Sequence, residues 1–329
     1  PQRTERLMDL GVVPWWTWRG IRAAFWRPVT AATHWLDYRL WPDSPMRMHA
    51  QSIAWYGLLA AAVAILYRRI MGPVWIAGLA AVLYAVDDAH GMPVGWLANR
   101  NAVLAAVFGM AALITHDRWR REGPAWAGVV PVGLLAVGVL SAEAGIATCA
   151  YLFAYAVFID RGTWKRRLVS LAPYVLVVII WRVAWTLQGY GTQGLGLYTD
   201  PLREPAQYLN AVIQKVPLLI VGQWALPPPE VAVVIPTESV RWLWLGALVV
   251  TAGLVFLLAP VVRRSAVGRF WACGMLLSLL PVSATLPSDR LLFFVGIGAM
   301  ALLAMFLQSA LSPGSPRWKR TAAGFLILI

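Results

Sequence analysis

Fifteen of the 28 basic residues in this 329-residue chain fall in five short breaks between apolar runs, and 12 of its 15 acids fall in the segments that alternate with those breaks. The basic breaks are Arg68-Arg69, Arg118 to Arg121, Arg161 to Arg167, Arg263 to Arg269 and Arg317 to Arg320, one after every second run. Membrane proteins keep Lys and Arg in their cytoplasmic loops, so this alternation predicts a polytopic chain whose unusual polar residues share the extracytoplasmic side. Composition agrees: 60% of residues are apolar, 13% are charged and 19 are Trp, which suits a chain solvated mostly by lipid. The net charge of +13 is topological in its loop arginines; Arg3, Arg6, Arg19, Arg22, Arg27, Arg39 and Arg47 run against the charge bias, and the parity of the spans, on which the five later loops agree, places them outside. The charge therefore does not imply nucleic acid as a partner. Cys149 and Cys273 both lie inside apolar runs and read as small buried hydrophobes, silent on redox compartment.

A hydrocarbon layer of roughly 30 Å needs roughly 17–25 apolar residues of helix. On that measure the fold class is all-α, a polytopic transmembrane helical bundle with interfacial amphipathic helices. Nine complete spans are expected near 50–67, 73–87, 101–116, 124–140, 143–159, 168–187, 242–262, 270–286 and 291–310. A tenth starts near 321, and because the chain begins at Pro1 and stops within Leu326–Ile329, an internal fragment with a further span upstream is expected. The organisation is an extracytoplasmic segment (1–49), six spans with a polar loop at 87–101 (50–187), a long extracytoplasmic connection (188–241) and the last spans (242–329). The second span, Val74 to Val86, is short, which sets Asp87 and Asp88 at the edge of the hydrocarbon, a costly place for a carboxylate.

Two stretches on the outer side read as interfacial helices. Trp15, Trp16, Trp18, Ile21, Phe25 and Trp26 alternate with Arg19, Arg22 and Arg27 at roughly helical spacing, as in a helix lying at headgroup depth. The second runs from Glu204 to Trp224, with Pro217 expected to end or kink it. Membrane anchoring accounts for such helices; the functional alternative is a platform beneath a lipid-linked substrate.

The densest chemistry is the run from Val86 to Asn101, which holds Asp87, Asp88, His90, a Gly/Pro-shaped turn and Arg100-Asn101. Adjacent carboxylates repel, so one pKa is expected to rise unless a cation offsets it. That suits a general base, or hard-oxygen ligands for a divalent metal such as Mg or Mn on Asp87 and Asp88. The structural alternative is a hydrated helix cap through Asp88 or Asn99. Other groups share the outer side. Glu143 sits alone in a tight hairpin, where it either caps the next helix or joins the site. Arg182 lies just before the outer end of its span, where snorkelling also explains it. Asp289-Arg290 opens the ninth span; Asp suits a helix N-terminus, whereas Arg opposes the dipole there and is a candidate phosphate ligand. His34, His49 and His90 lack metal-type spacing, so zinc is not expected.

Taken in order, Phe25-Trp26-Arg27-Pro28-Val29-Thr30, Leu36-Asp37-Tyr38, Pro45 through His49, the Asp88 to Asn101 loop, Glu143 and Arg290-Leu291 resemble the polytopic glycosyltransferases of the GT-C superfamily. The likeness is greatest to the bacterial relatives of the transmembrane and tetratricopeptide-repeat O-mannosyltransferases. It covers most of residues 20–300. Where that family often carries His-Pro-x-His, this chain has Asp-Asp-Ala-His; Pro93 stands for a Glu, Leu291 for a Tyr, and no tetratricopeptide repeat occurs.

The resemblance implies an integral protein of the bacterial cytoplasmic (inner) membrane with an extracytoplasmic functional face. It implies transfer of a sugar from a polyprenyl-phosphate donor to a glycan or protein acceptor, with inversion at the anomeric carbon. It also implies an acidic base in the first extracytoplasmic loop after a first span, a stretch expected upstream of or near residue 1, with Asp9 and Asp37 the acids within reach here. The roles that follow are Asp87 or Asp88 for acceptor or metal, His90 for an acceptor hydrogen bond, and Arg290 with Arg100 or Arg182 for the donor phosphate. Arg27, His49, Asn101, Glu143 and Asp289 complete the substrate-binding set. Two rival classes are a transporter or flippase of lipid-linked sugars and a catalytically idle structural subunit of a membrane complex.

Overall fold

The structure, a computed structural model, describes residues 4–328; Arg3, counted above with the N-terminal arginines, and both chain ends (Pro1 and Ile329) lie outside them. Helices α1 (Thr4–Asp9), α2 (Pro28–Leu40), α3 (Pro45–Met71), α4 (Trp75–Ala85), α5 (Gly91–Gly95), α6 (Arg100–Glu122), α7 (Val129–Ser141) and α8 (Thr148–Phe158) make the first half. Helices α9 (Trp164–Leu187), α10 (Pro205–Trp224), α11 (Val231–Val234), α12 (Thr237–Arg264), α13 (Ala266–Ser283), α14 (Phe293–Leu311) and α15 (Arg317–Leu328) make the second.

Six helices are long and apolar enough to cross a bilayer: α3, α6 with its preceding turn, α9, α12, α13 and α14. The other three expected spans are shorter. Helix α4 has 11 residues, or about 16 Å at 1.5 Å per residue, about half of the hydrocarbon thickness. The apolar segments Ala125–Ser141 and Glu143–Phe158 each open with a turn of 3-10 helix. Nine full-length spans thus become six long helices and three short ones, because Gly, Pro and polar residues at 86–91, 123–124 and 141–145 stop the short helices early.

The expected interfacial helix over residues 15–27 does not form. Residues 22–24 are a β-strand, β1, paired antiparallel with β2 (Gly191–Gln193), Ala23 opposite Thr192. Gly20 breaks the segment, Pro14 and Pro28 bound it, and its indoles do not share a face: Trp15 is 82% and Trp16 70% accessible, whereas Trp26 is partly buried and stacked on Tyr190. The helix over 204–224 does form, but it is not purely interfacial. Its first half exposes Leu209 and Ile213, whereas Leu218 to Val221 and Gln223 are buried against α12, α13 and α14. Pro217 neither ends it nor interrupts its burial.

The bundle is centred on α6 and α14, each 72% buried over its apolar window, with α12 (17%) and α9 (22%) on the periphery. Peripheral side chains such as Ile65, Ile179, Val249 and Phe256 are large, apolar and exposed, the inverse of a water-solvated surface. Helix α14 is pinned at its first turn by three tyrosines: Tyr67 of α3 donates to Ile297 O (2.7 Å), Tyr84 of α4 to Phe293 O (3.2 Å) and Tyr151 of α8 to Phe294 O. Close approach of α13 to α14 requires glycine, since a Cβ on Gly298 would stand 2.5 Å from Trp271 O.

The basic breaks meet at one end of the bundle. Asp117, fully buried, accepts from Arg69 (2.7 Å), Arg121 (2.6 Å) and Tyr155 (2.9 Å), and Asp160 accepts from Arg120 at 2.7 Å. Arg269 lies over Phe158, and Trp318 packs on Phe256. The polar segments singled out in the sequence meet at the opposite end.

Candidate functional site

Helix α4 stops at Ala85 because Asp87 turns the chain: its backbone is extended and its Oδ1 accepts from Ala89 N at 3.1 Å, closing a turn over 88–90. The second oxygen, Oδ2, accepts from Gln223 Nε2 of α10 at 2.8 Å. Burial pushes the Asp87 carboxyl up to about 6; the bonds from Gln223 and Ala89 oppose that rise and the neighbouring Asp88 adds to it. Asp87 is thus mostly ionised at neutral pH yet close enough to that range to take up a proton. Asp88 points into the open. On the far side of Asp87 stands Gly296 of α14, where a Cβ would come within 3.2 Å of Oδ2 and 3.3 Å of Gln223 Oε1.

His90 is 2% exposed and lies flat on Phe293, with ring centroids 4.4 Å apart and planes 6° apart. Its Nδ1 is 3.0 Å from Tyr56 Oη, which also donates to Ala85 O at 2.9 Å. A phenol has one proton; spent on the carbonyl, it leaves Nδ1 as the donor and Nε2 as a bare lone pair, buried without a partner. Burial lowers the His90 pKa to about 3, so the ring is neutral.

The turn over 88–90 packs against the turn 289–291 that leads into α14. There Glu230, after Pro227-Pro228-Pro229, accepts from Ser288 Oγ and from Asp289 N (2.9 Å), so its carboxylate faces the start of α14. Burial, followed by the hydrogen bond and charge of Glu230, pushes Asp289 up to about 6, while the bonds from Ser288 and Asp289 N outweigh burial and hold Glu230 below the usual range. Arg290 lies over the Trp96 ring at 5.7 Å, and among the described residues it forms no ion pair. The structure therefore brings Asp87, Asp88, His90, Asp289 and Arg290 into one region, with Trp96 at its edge.

A second cluster forms around Arg27, just ahead of α2. Its guanidinium meets Glu143 Oε2 through Nε (2.8 Å) and Nη2 (2.7 Å), and Asn101 Oδ1 accepts from Nη1 at 2.9 Å once its amide is oriented toward that donor. Glu143 Oε1 is buried without a partner. Thr30 fixes the cluster by donating to Ser141 O at 2.8 Å.

Arg100 and Arg182 are placed differently. Arg100 is fully buried and committed: Nη1 reaches Asp37 (2.5 Å) and Gln51 (2.5 Å), Nε reaches Ser52 (2.9 Å) and Nη2 reaches Met48 O (2.8 Å). It ties α2 and α3 to the start of α6 rather than offering a fork to solvent. Asp37, 1% exposed, is spent on the same tie, and Asp9 sits exposed at the end of α1. His49 follows Met48 in the first turn of α3. Arg182 pairs with Asp200 Oδ2 at 2.5 Å and stacks on Trp185 at 4.6 Å, in a separate group under the 188–204 connection.

The donors do not fit a divalent cation. Among the described residues no three His, Cys, Asp or Glu side chains converge as ligands, and Asp87 with Asp88 alone offer a hard cation too few oxygens.

Sequence reasoning missed Gln223, Glu230 and Asp200. Gln223 carried a signal: it is the one strongly polar side chain in Val216–Trp224, and polar groups amid apolar helix are functional by default. Glu230 and Asp200 sit in connections, where acids are common.

No protein-family model matches the chain, and no solved structure matches it. Two curated proteins are similar to part of it. The protein O-mannosyl-transferase TMTC3 of Mus musculus is 28% identical over 156 residues, covering 46% of this chain and 17% of its own length. The protein O-mannosyl-transferase F38B6.6 of Caenorhabditis elegans is 30% identical over 129 residues, covering 37% of this chain and 18% of its own length. The chain thus matches less than a fifth of the length of these relatives. Its distant relatives are protein O-mannosyl-transferases, and its six long apolar helices are those of an integral membrane protein.

Proposed function

We propose that the chain is the membrane part of a GT-C glycosyltransferase that moves a sugar from a polyprenyl-phosphate donor to a hydroxyl acceptor on the extracytoplasmic face. In that reading all nine apolar segments lie in the cytoplasmic membrane of a bacterium, the short ones as partial crossings, and the basic end faces the cytoplasm. The observation that carries the reading is Asp87: a half-buried carboxylate with a pKa near 6, held from two sides, whose neighbouring turn abuts the turn bearing the unpaired Arg290. A base and a phosphate-binding cation are the two groups this transfer needs.

In the step itself Asp87 takes the proton of the acceptor hydroxyl as that oxygen bonds to the anomeric carbon. The bond from that carbon to the phosphate oxygen breaks, and the polyprenyl phosphate leaves as an anion toward Arg290. Attack from the face opposite the leaving group inverts the anomeric centre. Asp88, exposed beside Asp87, and the Arg27–Glu143–Asn101 cluster hold the acceptor. Arg182, paired with Asp200, braces the 188–204 connection.

The test is transfer of radiolabelled mannose from polyprenyl phosphate by the full-length protein in proteoliposomes, comparing Asp87→Asn and Arg290→Ala with the unmodified chain. A general base is worth about 10²–10⁴ in rate, and one preorganised group on the developing charge about 10²–10³. Loss of that size in both variants, with unchanged membrane insertion, is expected. Unimpaired transfer by both would remove the assignment, and movement of the lipid-linked sugar across the bilayer without transfer would replace it with a flippase.

A further inference from the structure

Between Glu204 and Glu238 the chain carries only two charged side chains, Lys215 and Glu230. A charge in so apolar a stretch is costly, and it is kept where it has a partner. Among the described residues neither forms an ion pair. Both turn instead onto one loop, residues 283–291, which joins α13 to α14 and carries Arg290.

Lys215 closes the α13 end of that loop. The last carbonyls of a helix lack partners within it, yet here every carbonyl from Leu280 to Thr285 accepts a hydrogen bond. Tyr208 Oη donates to Leu280 O (2.8 Å), and the amides of Ala284 and Thr285 reach Pro281 O (3.3 Å) and Val282 O (3.2 Å). Lys215 Nζ donates to Ser283 O (3.1 Å) and Thr285 O (2.6 Å), and Thr199 N donates to Ala284 O (2.8 Å). Glu230 closes the α14 end, where its Oε1 accepts from Ser288 Oγ and from Asp289 N (2.9 Å). Only Leu286 and Pro287 lie between the two clasps.

The signs suit the helix dipoles, a cation on the end of α13 and an anion ahead of α14, so capping accounts for each charge taken singly. It does not account for their common origin. Both come from the segment running from α10 to Glu230, which also sends Gln223 to Asp87. Nor does capping account for Arg290. Glu230 bonds the amide of the residue just before it, yet that carboxylate is spent on neutral donors, and the guanidinium stays unpaired over Trp96.

We propose that Lys215 and Glu230 are positioning residues for Arg290: by pinning loop 283–291 at both ends, they hold its guanidinium in place for the donor phosphate and clear of a carboxylate partner. This role rests on the glycosyltransfer reading.

The test is equilibrium binding of radiolabelled polyprenyl phosphate to the purified full chain, with amide exchange over residues 284–291 measured on the same samples. Arg290→Ala should weaken binding. Lys215→Met and Glu230→Ala should each speed exchange in the loop and weaken binding by about 10- to 100-fold, the scale for misplacing a binding group by about 1 Å. Ser288→Ala, a milder change at the same clasp, should weaken it by less. Glu230→Gln keeps an oxygen for both donors and should bind as the unmodified chain does. Because the two residues act through Arg290, neither Lys215→Met nor Glu230→Ala should weaken binding further in the Arg290→Ala background. Normal binding by Lys215→Met and Glu230→Ala, with binding lost in Arg290→Ala, overturns the proposal and leaves the glycosyltransfer reading standing. So does an equal further loss in the Arg290→Ala background, or a loop whose exchange is unchanged. Unimpaired binding by Arg290→Ala removes the phosphate role of Arg290, and this proposal with it.

Discussion

Gln223 Nε2 lies 2.8 Å from Asp87 Oδ2, joining helix α10 to a loop 136 residues earlier in the chain. Gln223 is 4% exposed and its Oε1 has no partner, so its amide serves this one carboxylate. A donated hydrogen bond favours the charged form of Asp87 and partly offsets the burial that raises its pKa to about 6. Gln223→Leu removes the donor and keeps the packing volume near constant. The acidic limb of the activity profile, expected near pH 6 in the unmodified protein, should then move to higher pH. A limb that stays in place in Gln223→Leu would show that Asp87 is not the titrating base.

Asp87 also links stability to pH in an unusual direction. Its folded pKa is above its ordinary value of 3.8, so between about pH 4 and pH 6 the unfolded chain sheds the proton while the folded chain keeps it. Fewer protons bound by the unfolded state means that stability falls as pH rises through that window and levels off above it. In Asp87→Asn the amide can donate to Gln223 Oε1 after that side chain turns over, so the contact survives without the charge. The variant should therefore match the unmodified protein near pH 4 and exceed it in Tm at pH 8. Thermal unfolding in detergent at the two pH values measures this, and a variant less stable at pH 8 would contradict it.

The Arg100–Asp37 pair holds the entry to the bundle and its two halves are not equivalent. An aspartate left alone in a buried site can take up a proton, whereas a guanidinium cannot lose one. Arg100 is fully buried, so Asp37→Asn leaves a cation without a counter-charge, and breaking such a pair costs about 3–5 kcal/mol. Asp37→Asn should consequently be less stable than Arg100→Met, and combining Asp37→Leu with Arg100→Met should recover part of the loss. The yield of monodisperse protein and its Tm report the order; equal damage from the two single changes would argue against a buried ion pair.

Much of the fold is readable in the sequence because lipid imposes a simple code. Each of the six helices long and apolar enough to cross a bilayer falls on an expected span, and the alternation of Arg-rich and acid-bearing breaks sorts the loops to opposite ends. Three things were not readable. The N-terminal segment has helical spacing of Trp and Arg, yet residues 22–24 pair with 191–193, because a partner strand satisfies backbone groups that an isolated, Gly-broken helix cannot. The half-length of α4 depends on Asp87 capping Ala89, a local choice that hydropathy does not register. The partners within the site are long-range: Arg27 with Glu143 spans 116 positions and Gln223 with Asp87 spans 136, and periodicity carries no information about either. The loop 86–101 and the Asp289-Arg290 turn were identifiable because ionisable groups beside apolar helices are costly.

Tyr151 sits inside the hydrogen-bond ladder of α14. Its hydroxyl donates to Phe294 O and accepts from Gly298 N at 3.0 Å, and those two groups are four residues apart, the pair that would bond each other in an uninterrupted helix. The turn so opened carries Gly296, the neighbour of Asp87 and Gln223. In Tyr151→Phe the carbonyl and amide can close on each other, so two hydrogen bonds are exchanged for one and the net cost should be about 1 kcal/mol, or roughly 1–2 °C in Tm for a chain of this size. Closing the turn moves Gly296 relative to the carboxylate, so transfer should fall well beyond what that small stability change explains, and amide exchange at Gly298 should slow. Tyr67→Phe is the control: Tyr67 donates only to Ile297 O, which keeps its helical bond, so neither transfer nor exchange at Gly298 should change. If Tyr151→Phe behaves as Tyr67→Phe does, the inserted hydroxyl plays no part in shaping the site.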